Sequence, residues 1–333
     1  MQVLKFGGSS LADACSIQQV ARIVRDHSRD EEIVVVCSAC AGITNRLVRI
    51  TELVRAGRAV QALNETWRIR SQHRALLAQI SLGIANYQAD EKSLQGPRVW
   101  VELEDLGESL RALVAGTSAK RADAAWTARV LSYGERASAR IVAAALQQTG
   151  VRAQAVDATE CVETDEDFLN AAPRWNETRQ RTRETLVPLL EDGIVPVITG
   201  FIGATSAGEI TTLGRNSSDF SAAIVGDALD ADEVCLWTDV DGVYDRDPRA
   251  AHEAGRDFTL LEHLSYDEAL EMAERGAKVV HPRTIHPLRE KNIILRIRNT
   301  FRPEHSGTRI GPRVHKDAQP TMQDADFVHE GAR

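Results

Sequence analysis

No nucleotide-binding loop of the common kinds occurs in these 333 residues. G-x-x-x-x-G-K-[ST] is absent, no G-x-G-x-x-G follows a strand, and no protein-kinase motif is found. There is no block of lysine or arginine, and the net charge is −8, which argues against a nucleic-acid footprint. The basic residues between Arg283 and Arg313 are dispersed among apolar ones and read as a solvated face. No apolar run reaches the length of a membrane span, and the amino terminus lacks a signal-peptide pattern, so a cytoplasmic protein is expected. The five cysteines have no disulfide-framework spacing, which suits a reducing compartment. Cys37 and Cys40 form a lone C-x-x-C. It supplies half the ligands of a zinc site and is read as two small side chains at the mouth of a buried strand. Internal repeats and low-complexity segments are also missing.

What is present is a chain that is 43% hydrophobic, enough for a large core. Gln2 to Phe6 reads as a strand and Ser16 to Asp26 as a helix with Ile17, Val20, Ile23 and Val24 on one face. Ile33-Val34-Val35-Val36 is the β-branched run of a strand covered on both sides, and Thr44 to Val54 is helical again. This alternation predicts a doubly wound α/β sheet. Residues 58–148 are nearly all helix-compatible. Strands are then expected at Val151–Val156, Val195–Thr199, Glu233–Trp237 and Ile293–Arg298, with helices at Ser218–Ala228 and Asp267–Arg275. The tail beyond Gly311 is polar and aperiodic and is expected to be disordered or loosely docked.

Two segments carry the chemistry. Lys5-Phe6-Gly7-Gly8-Ser9-Ser10 places a lysine at a strand end before paired glycines. Thr211-Thr212-Leu213-Gly214-Arg215-Asn216-Ser217-Ser218-Asp219 places a guanidinium, hydroxyls and a carboxylate at the start of an apolar helix. Between and after them stand Ser38-Ala39-Cys40-Ala41-Gly42-Ile43-Thr44-Asn45, Tyr133-Gly134-Glu135-Arg136, Gly200-Phe201-Ile202-Gly203, Trp237-Thr238-Asp239-Val240-Asp241-Gly242-Val243-Tyr244 and Gly276-Ala277-Lys278-Val279-Val280-His281-Pro282. In this order they resemble the aspartate kinase branch of the amino acid kinase family, over about residues 2 to 311. The similarity is greatest to the kinase half of bifunctional aspartate kinase–homoserine dehydrogenases.

The resemblance implies an amino acid kinase (carbamate kinase-like) fold, with a mostly parallel central sheet sandwiched by helices. Residues 1–311 would form the catalytic domain: an N-lobe of about 1–195 with a helical insertion at about 58–148, and a nucleotide-binding C-lobe of about 196–311. Residues 312–333 are too few for an ACT domain, so no built-in feedback regulation is expected.

Phosphoryl transfer is mostly positioning and charge neutralisation. Lys5 sits at the carboxyl end of the first strand, where α/β sheets bind ligands. Gly7 and Gly8 would let the backbone approach the phosphates, and Ser9 is counted with them at the nucleotide. Arg215 suits the α-carboxylate of an amino acid in bidentate geometry, and Glu135 would hold its α-ammonium. Such a pair selects a free α-amino acid. By resemblance, Asp219 organises the phosphate-binding lysine and Lys278 supplies a second cation. Ser38, Ala39, Thr44 and Phe201 line the substrate pocket in the same reading, and Ser218 adds a donor. Asp219 need not act as a base, because the accepting carboxylate, with a pKa of about 4, is already ionised at neutral pH. The nucleotide pocket would use Thr238, Asp239, Tyr244 and Arg249. ATP is the expected co-substrate, with Mg²⁺ bridging its phosphates and no metal-ligand residue assigned.

Three residues depart from the family pattern: Ser217 where glycine is usual, Cys40 where small residues are usual, and Arg275 before Gly276. Ser217 would be strained if its position needs positive φ. The expectation is an ATP-dependent kinase forming 4-phospho-L-aspartate from L-aspartate. The alternatives are a kinase for a related or modified amino acid, and a non-catalytic amino-acid-binding subunit. Neither nucleic acid nor membrane is an expected partner. A homodimer through the kinase core is compatible with the sequence, though no pattern points to it.

Overall fold

A computed structural model describes residues 1–83, 96–246, 257–275 and 280–312. The organising element is the first strand. β1 (Gln2–Phe6) is paired in parallel on one side with β2 (Ile33–Cys37) and on the other with β8 (Glu233–Thr238). With β3 (Ala153–Val156), β5 (Val195–Thr199), β9 (His263–Ser265), β10 (Ile294–Asn299) and β11 (Thr308–Gly311) these build an eight-stranded sheet in the order β3-β5-β2-β1-β8-β10-β11-β9. Every described pairing in it is parallel except β10 with β11. A smaller sheet joins β4 (Glu163–Thr164), β6 (Ile202–Thr205) and β7 (Ile210–Thr212) in the order β4-β6-β7.

β2 and β5 are buried along their whole length because both faces of the sheet are covered. Leu4, Phe6, Val35, Cys37, Val197 and Trp237 point into one core. That core is closed by α1 (Ala14–His27), α2 (Ile43–Arg55), α3 (Ala59–Gly83), α4 (Gly96–Ala115), α5 (Ala124–Leu131) and α6 (Tyr133–Gln148). Val3, Val34, Val36, Ile198 and Leu236 point the other way. There they meet α7 (Trp175–Glu191), α8 (Ser218–Leu229), α9 (Tyr266–Glu274) and α10 (Pro282–Glu290). Several helix starts have local causes. Asp13 accepts a hydrogen bond from Ser16 N–H at 2.8 Å, Asp123 from Trp126 N–H at 2.7 Å, and Ser265 with Glu268 forms a reciprocal capping box.

The sheet has the doubly wound character expected from the sequence, and the predicted strands and helices occur with small shifts at their ends. Three features differ. α6 packs on β2, β3 and β5 and so belongs to the layer over the sheet, although it falls within the stretch expected to be an insertion. β5, at the expected lobe boundary, lies inside the sheet between β3 and β2, so the two halves share one sheet. The arginines after residue 282 are not simply a solvated face. Arg298 stacks over Trp237 at 4.6 Å, Arg296 pairs with Glu233 at 3.0 Å, and Arg283 stacks over Phe220 at 4.6 Å. Of the polar tail, residues 313–333 lie outside the described residues.

Candidate active site

The carboxyl ends of β1, β2, β5 and β8 lie side by side, because parallel pairing in register carries the segments after Phe6, Cys37, Thr199 and Thr238 to one edge. Lys5 is buried near the end of β1, and its Nζ lies 2.5 Å from Oδ1 of Asp219 in the first turn of α8. The helix and the strand are thereby held by an ion pair. Gly7 N–H donates weakly to the carbonyl of Trp237 at 3.4 Å, so this amide faces the neighbouring strand instead of open space. Gly8 N–H has no hydrogen-bond partner among the described residues. Ser9 opens a short 3₁₀ turn whose next residue, Ser10, shares a 2.7 Å hydrogen bond with Thr300.

Glu135 lies in the first turn of α6 and is 3% exposed. Its Oε1 accepts from Ala39 N–H at 3.1 Å, while Oε2 is buried with no partner. Burial drives its pKa up to about 8, against the lowering effect of the Ala39 hydrogen bond. The approach is close because residue 134 is glycine: a Cβ there would sit 2.7 Å from that of Ala39. Ser138, one turn on, donates to the Ser38 carbonyl at 2.6 Å and fixes the same loop. Thr44 is half-buried in the first turn of α2. Cys37 and Cys40 are buried free thiols whose pKa values burial raises, in the second case to about 12, consistent with inert packing.

Phe201 follows β5 with φ of 70°, and its N–H donates to Ser221 Oγ at 2.8 Å, tying the turn to α8. Ser218 sits against this turn: a Cβ on Gly200 would meet Ser218 Cβ at 3.0 Å and the Cys37 carbonyl at 3.1 Å. The strain anticipated at Ser217 does not arise, since its φ is −89°. The loop takes its left-handed residues at Gly214 (φ 93°) and Asn216 (φ 58°) instead.

Arg215 is exposed on that loop and makes no ion pair with a described residue, Glu135 included. It lines a cavity of about 120 Å³ with Asn170, Ser217, His281, Arg283 and Thr284 among others. Arg215 and Glu135, expected to hold opposite ends of one amino acid, make no ion pair with each other. A larger cavity of about 440 Å³, lined by Trp67, Arg70, Ser71 and Arg74, contains none of the candidate residues.

At the other end of the edge, Thr238 closes β8 and its Oγ1 accepts from Val240 N–H at 3.2 Å. Asp239 is exposed. The Tyr244 hydroxyl donates to Asp241 Oδ2 at 3.4 Å, and its ring meets Phe258 edge-on at 5.3 Å. Asp241, not singled out from the sequence, is the hub: its Oδ1 accepts from Asn299 Nδ2 at 2.7 Å, and its Oδ2 pairs with Arg302. An aspartate between Val240 and Gly242 carries no local signal for this, because its partners, Asn299 and Arg302, come from the end of β10 and the segment just after it. Arg249 and Lys278 lie outside the described residues. Among the described residues, no group of three histidine, cysteine, aspartate or glutamate side chains converges on a point. None of their helices is long and apolar enough to cross a membrane.

Comparison with known proteins agrees with this architecture. The chain is 34% identical to lysine-sensitive aspartokinase 3 of Escherichia coli over 92% of its length and 63% of that protein's. It is 33% identical to the bifunctional aspartokinase/homoserine dehydrogenase of Haemophilus influenzae over 96% of its length, but spans only 37% of that relative. The structure superposes on E. coli aspartokinase III in complex with aspartate and ADP with a TM-score of 0.78 and 30% identity, covering 95% of this chain and 65% of that one. The amino acid kinase family model matches residues 1–299, and on that match the chain belongs to the amino acid kinase family.

Proposed function

We propose that the protein is an ATP-dependent aspartate kinase that transfers the γ-phosphoryl group to the side-chain carboxylate of L-aspartate, giving 4-phospho-L-aspartate. The observation that carries this reading is the Lys5–Asp219 ion pair, set 2.5 Å apart at the carboxyl edge of the sheet beside Gly7 and Gly8. It holds an ammonium where phosphate charge must be neutralised. Relatives that share the fold are aspartokinases, one of them solved with aspartate and ADP.

In this scheme Glu135 receives the α-ammonium, since its Oε2 is buried and unpartnered. Arg215 turns inward from its exposed loop to meet the α-carboxylate, and Ser38, Ala39, Thr44, Phe201 and Ser218 wall the pocket. Thr238, Asp239, Tyr244 and Arg249 take the nucleotide, and Lys278 adds a second cation at the phosphates. Asp219 keeps Lys5 in place and removes no proton, because the acceptor is already a carboxylate. The residues at hand suit magnesium carried chiefly by nucleotide phosphate oxygens, with Asp219 the carboxylate nearest Lys5. Bound there, Mg²⁺ would neutralise charge on the β- and γ-phosphates. A cytoplasmic location and a kinase-core homodimer accompany the proposal.

Hydroxylamine trapping of the acyl phosphate, with ATP, Mg²⁺ and a panel of amino acids, tests it. Hydroxamate formation with L-aspartate is expected. A signal with glutamate or a substituted aspartate, and none with aspartate, would overturn the substrate assignment.

A further inference from the structure

Arg283, in the first turn of α10, reaches three other segments at once. Its Nη1 donates to Asn170 Oδ1 at 3.3 Å and to the Leu213 carbonyl at 3.2 Å, and its Nη2 donates to the Ala171 carbonyl at 3.4 Å. Its Cζ lies 4.6 Å from the centre of the Phe220 ring. Leu213 directly precedes Gly214-Arg215, and Phe220 directly follows Asp219. Each hydrogen bond is long, so the hold comes from a planar fork and a stacked ring acting together. The three acceptors are uncharged and orient the guanidinium without neutralising it.

The partners of Arg283 are themselves fixed. His281 Nδ1 accepts from Arg283 N–H at 3.1 Å and sets the backbone from which the side chain leaves. Ala171 N–H donates to the Thr212 carbonyl at 2.9 Å, and Thr212 N–H to the Phe168 carbonyl at 2.8 Å, which stitches the Asn170 segment to β7. A Cβ on Gly214 would lie 2.5 Å from Asn170 Oδ1 and 3.8 Å from Arg283 Nη1, so the start of the loop packs directly against both. At the other end of the loop, Ser221 N–H and the Ser221 hydroxyl donate to the Ser217 carbonyl at 2.8 and 3.1 Å. Both ends are pinned, and the exposed Arg215 and Asn216 stand between them.

We infer that Arg283 is a positioning residue for the amino-acid site: its fork on Leu213, Asn170 and Ala171 fixes the start of the loop from which Arg215 reaches the substrate. The inference rests on the role proposed for Arg215 and assigns Arg283 no contact with substrate. A loop held at both ends has less freedom to lose when Arg215 closes on its ligand. Releasing one end raises that cost at the amino-acid side and leaves the nucleotide side alone.

The test is the hydroxamate assay on the full chain, with aspartate and ATP titrated separately, for Arg283→Met, Arg283→Lys and Asn170→Ala. Arg283→Met should raise KM for aspartate about tenfold, with kcat within about threefold and KM for ATP within about twofold of wild type. Arg283→Lys keeps the charge but not the planar fork, so its KM should stay closer to that of Arg283→Met than to wild type. Asn170→Ala, at an exposed position, should raise KM for aspartate about threefold with a near-normal melting temperature. Added to Arg283→Met it should do less than it does alone, because both act on one clamp. Unchanged KM for aspartate in the Arg283 variants would overturn the inference, as would an equal rise in KM for ATP or full rescue by lysine. If the Arg283 variants do not fold, Asn170→Ala decides, and a wild-type KM for aspartate there overturns it. Should the wild type turn over a different amino acid, the same split is read with that substrate, so failure of the aspartate assignment and failure of this inference are seen apart.

Discussion

Lys5 Nζ lies 2.5 Å from Asp219 Oδ1, an ion pair that spans the space between the first strand and the helix that follows the Gly214–Ser217 loop. Removing the ammonium by Lys5→Ala should abolish hydroxamate formation. Asp219→Asn should lower kcat by about 10²- to 10³-fold, the usual scale for losing one organising charge or donor. Near-normal turnover by either variant in the hydroxamate assay would contradict the assigned roles.

Glu135 gives a pH dependence. Its pKa in the folded chain is about 8 against 4.5 in the reference state, so between those values the folded protein holds a proton that the unfolded chain has lost. Its contribution therefore lowers stability as pH rises through that window, and the effect is complete above about pH 8. An α-ammonium ligand favours the ionised form and expels the proton. KM for aspartate should fall from pH 6 to pH 8, by up to about tenfold per unit, and level off above. Glu135→Gln should raise KM about 30-fold or more and flatten that profile. A rising KM over the same range in the wild type would reverse the assignment.

Gly134 predicts a packing effect. Gly134→Ala places a methyl 2.7 Å from the Ala39 side chain and within 3.3 Å of Ile43 and Leu47. It should destabilise the protein by about 1–3 kcal/mol and raise KM for aspartate, because the Ala39 loop carries the hydrogen bond to Glu135. Thermal melts and aspartate titrations check the two effects together.

Asp241 is expected to separate the two substrates. Asp241→Asn weakens the hold on Arg302 and turns the acceptor set away from Tyr244. KM for ATP should rise about three- to tenfold, as for loss of roughly one hydrogen bond, with KM for aspartate nearly unchanged. Equal changes in both would remove Asp241 from the nucleotide end.

Asp227 is a stability determinant away from the chemistry. It is fully buried on α8 and takes two hydrogen bonds from Arg179 of α7, at 2.7 and 3.1 Å. Asp227→Ala removes both hydrogen bonds and leaves a guanidinium that is one-third exposed, so it should cost about 1–3 kcal/mol, read as a lower melting temperature.

The elements legible in the sequence were those whose own residues carry the signal. β2 is a run of β-branched residues, and α1 and α2 show apolar residues at helical spacing. α7 was not foreseen: its WNETRQRTRE half is polar, and the helix is held by contacts such as Arg179 with Asp227 that sequence spacing does not reveal. The strands of the small sheet are two to four residues long, too short for periodicity to register. Motif order singles out Lys5, Asp219 and Glu135, while the burial of Glu135 and the Lys5–Asp219 pairing come from the fold. The outward placement of Arg215 has no signal in its own motif, and the hub at Asp241 depends on Asn299 at the end of β10 and Arg302 after it. The backbone need at Ser217 was misjudged because its neighbours Gly214 and Asn216 absorb the left-handed turns.

The mid-sheet position of the first strand has a consequence for synthesis. Gln2 is synthesised long before its second neighbour strand, which begins with Glu233. At ordinary elongation rates that leaves one flank of β1 without its ladder for roughly 10–50 s. During that interval an apolar strand bearing Lys5 offers open backbone groups to any passing chain. Completion of the sheet around β1 therefore waits on the polypeptide made more than two hundred residues later.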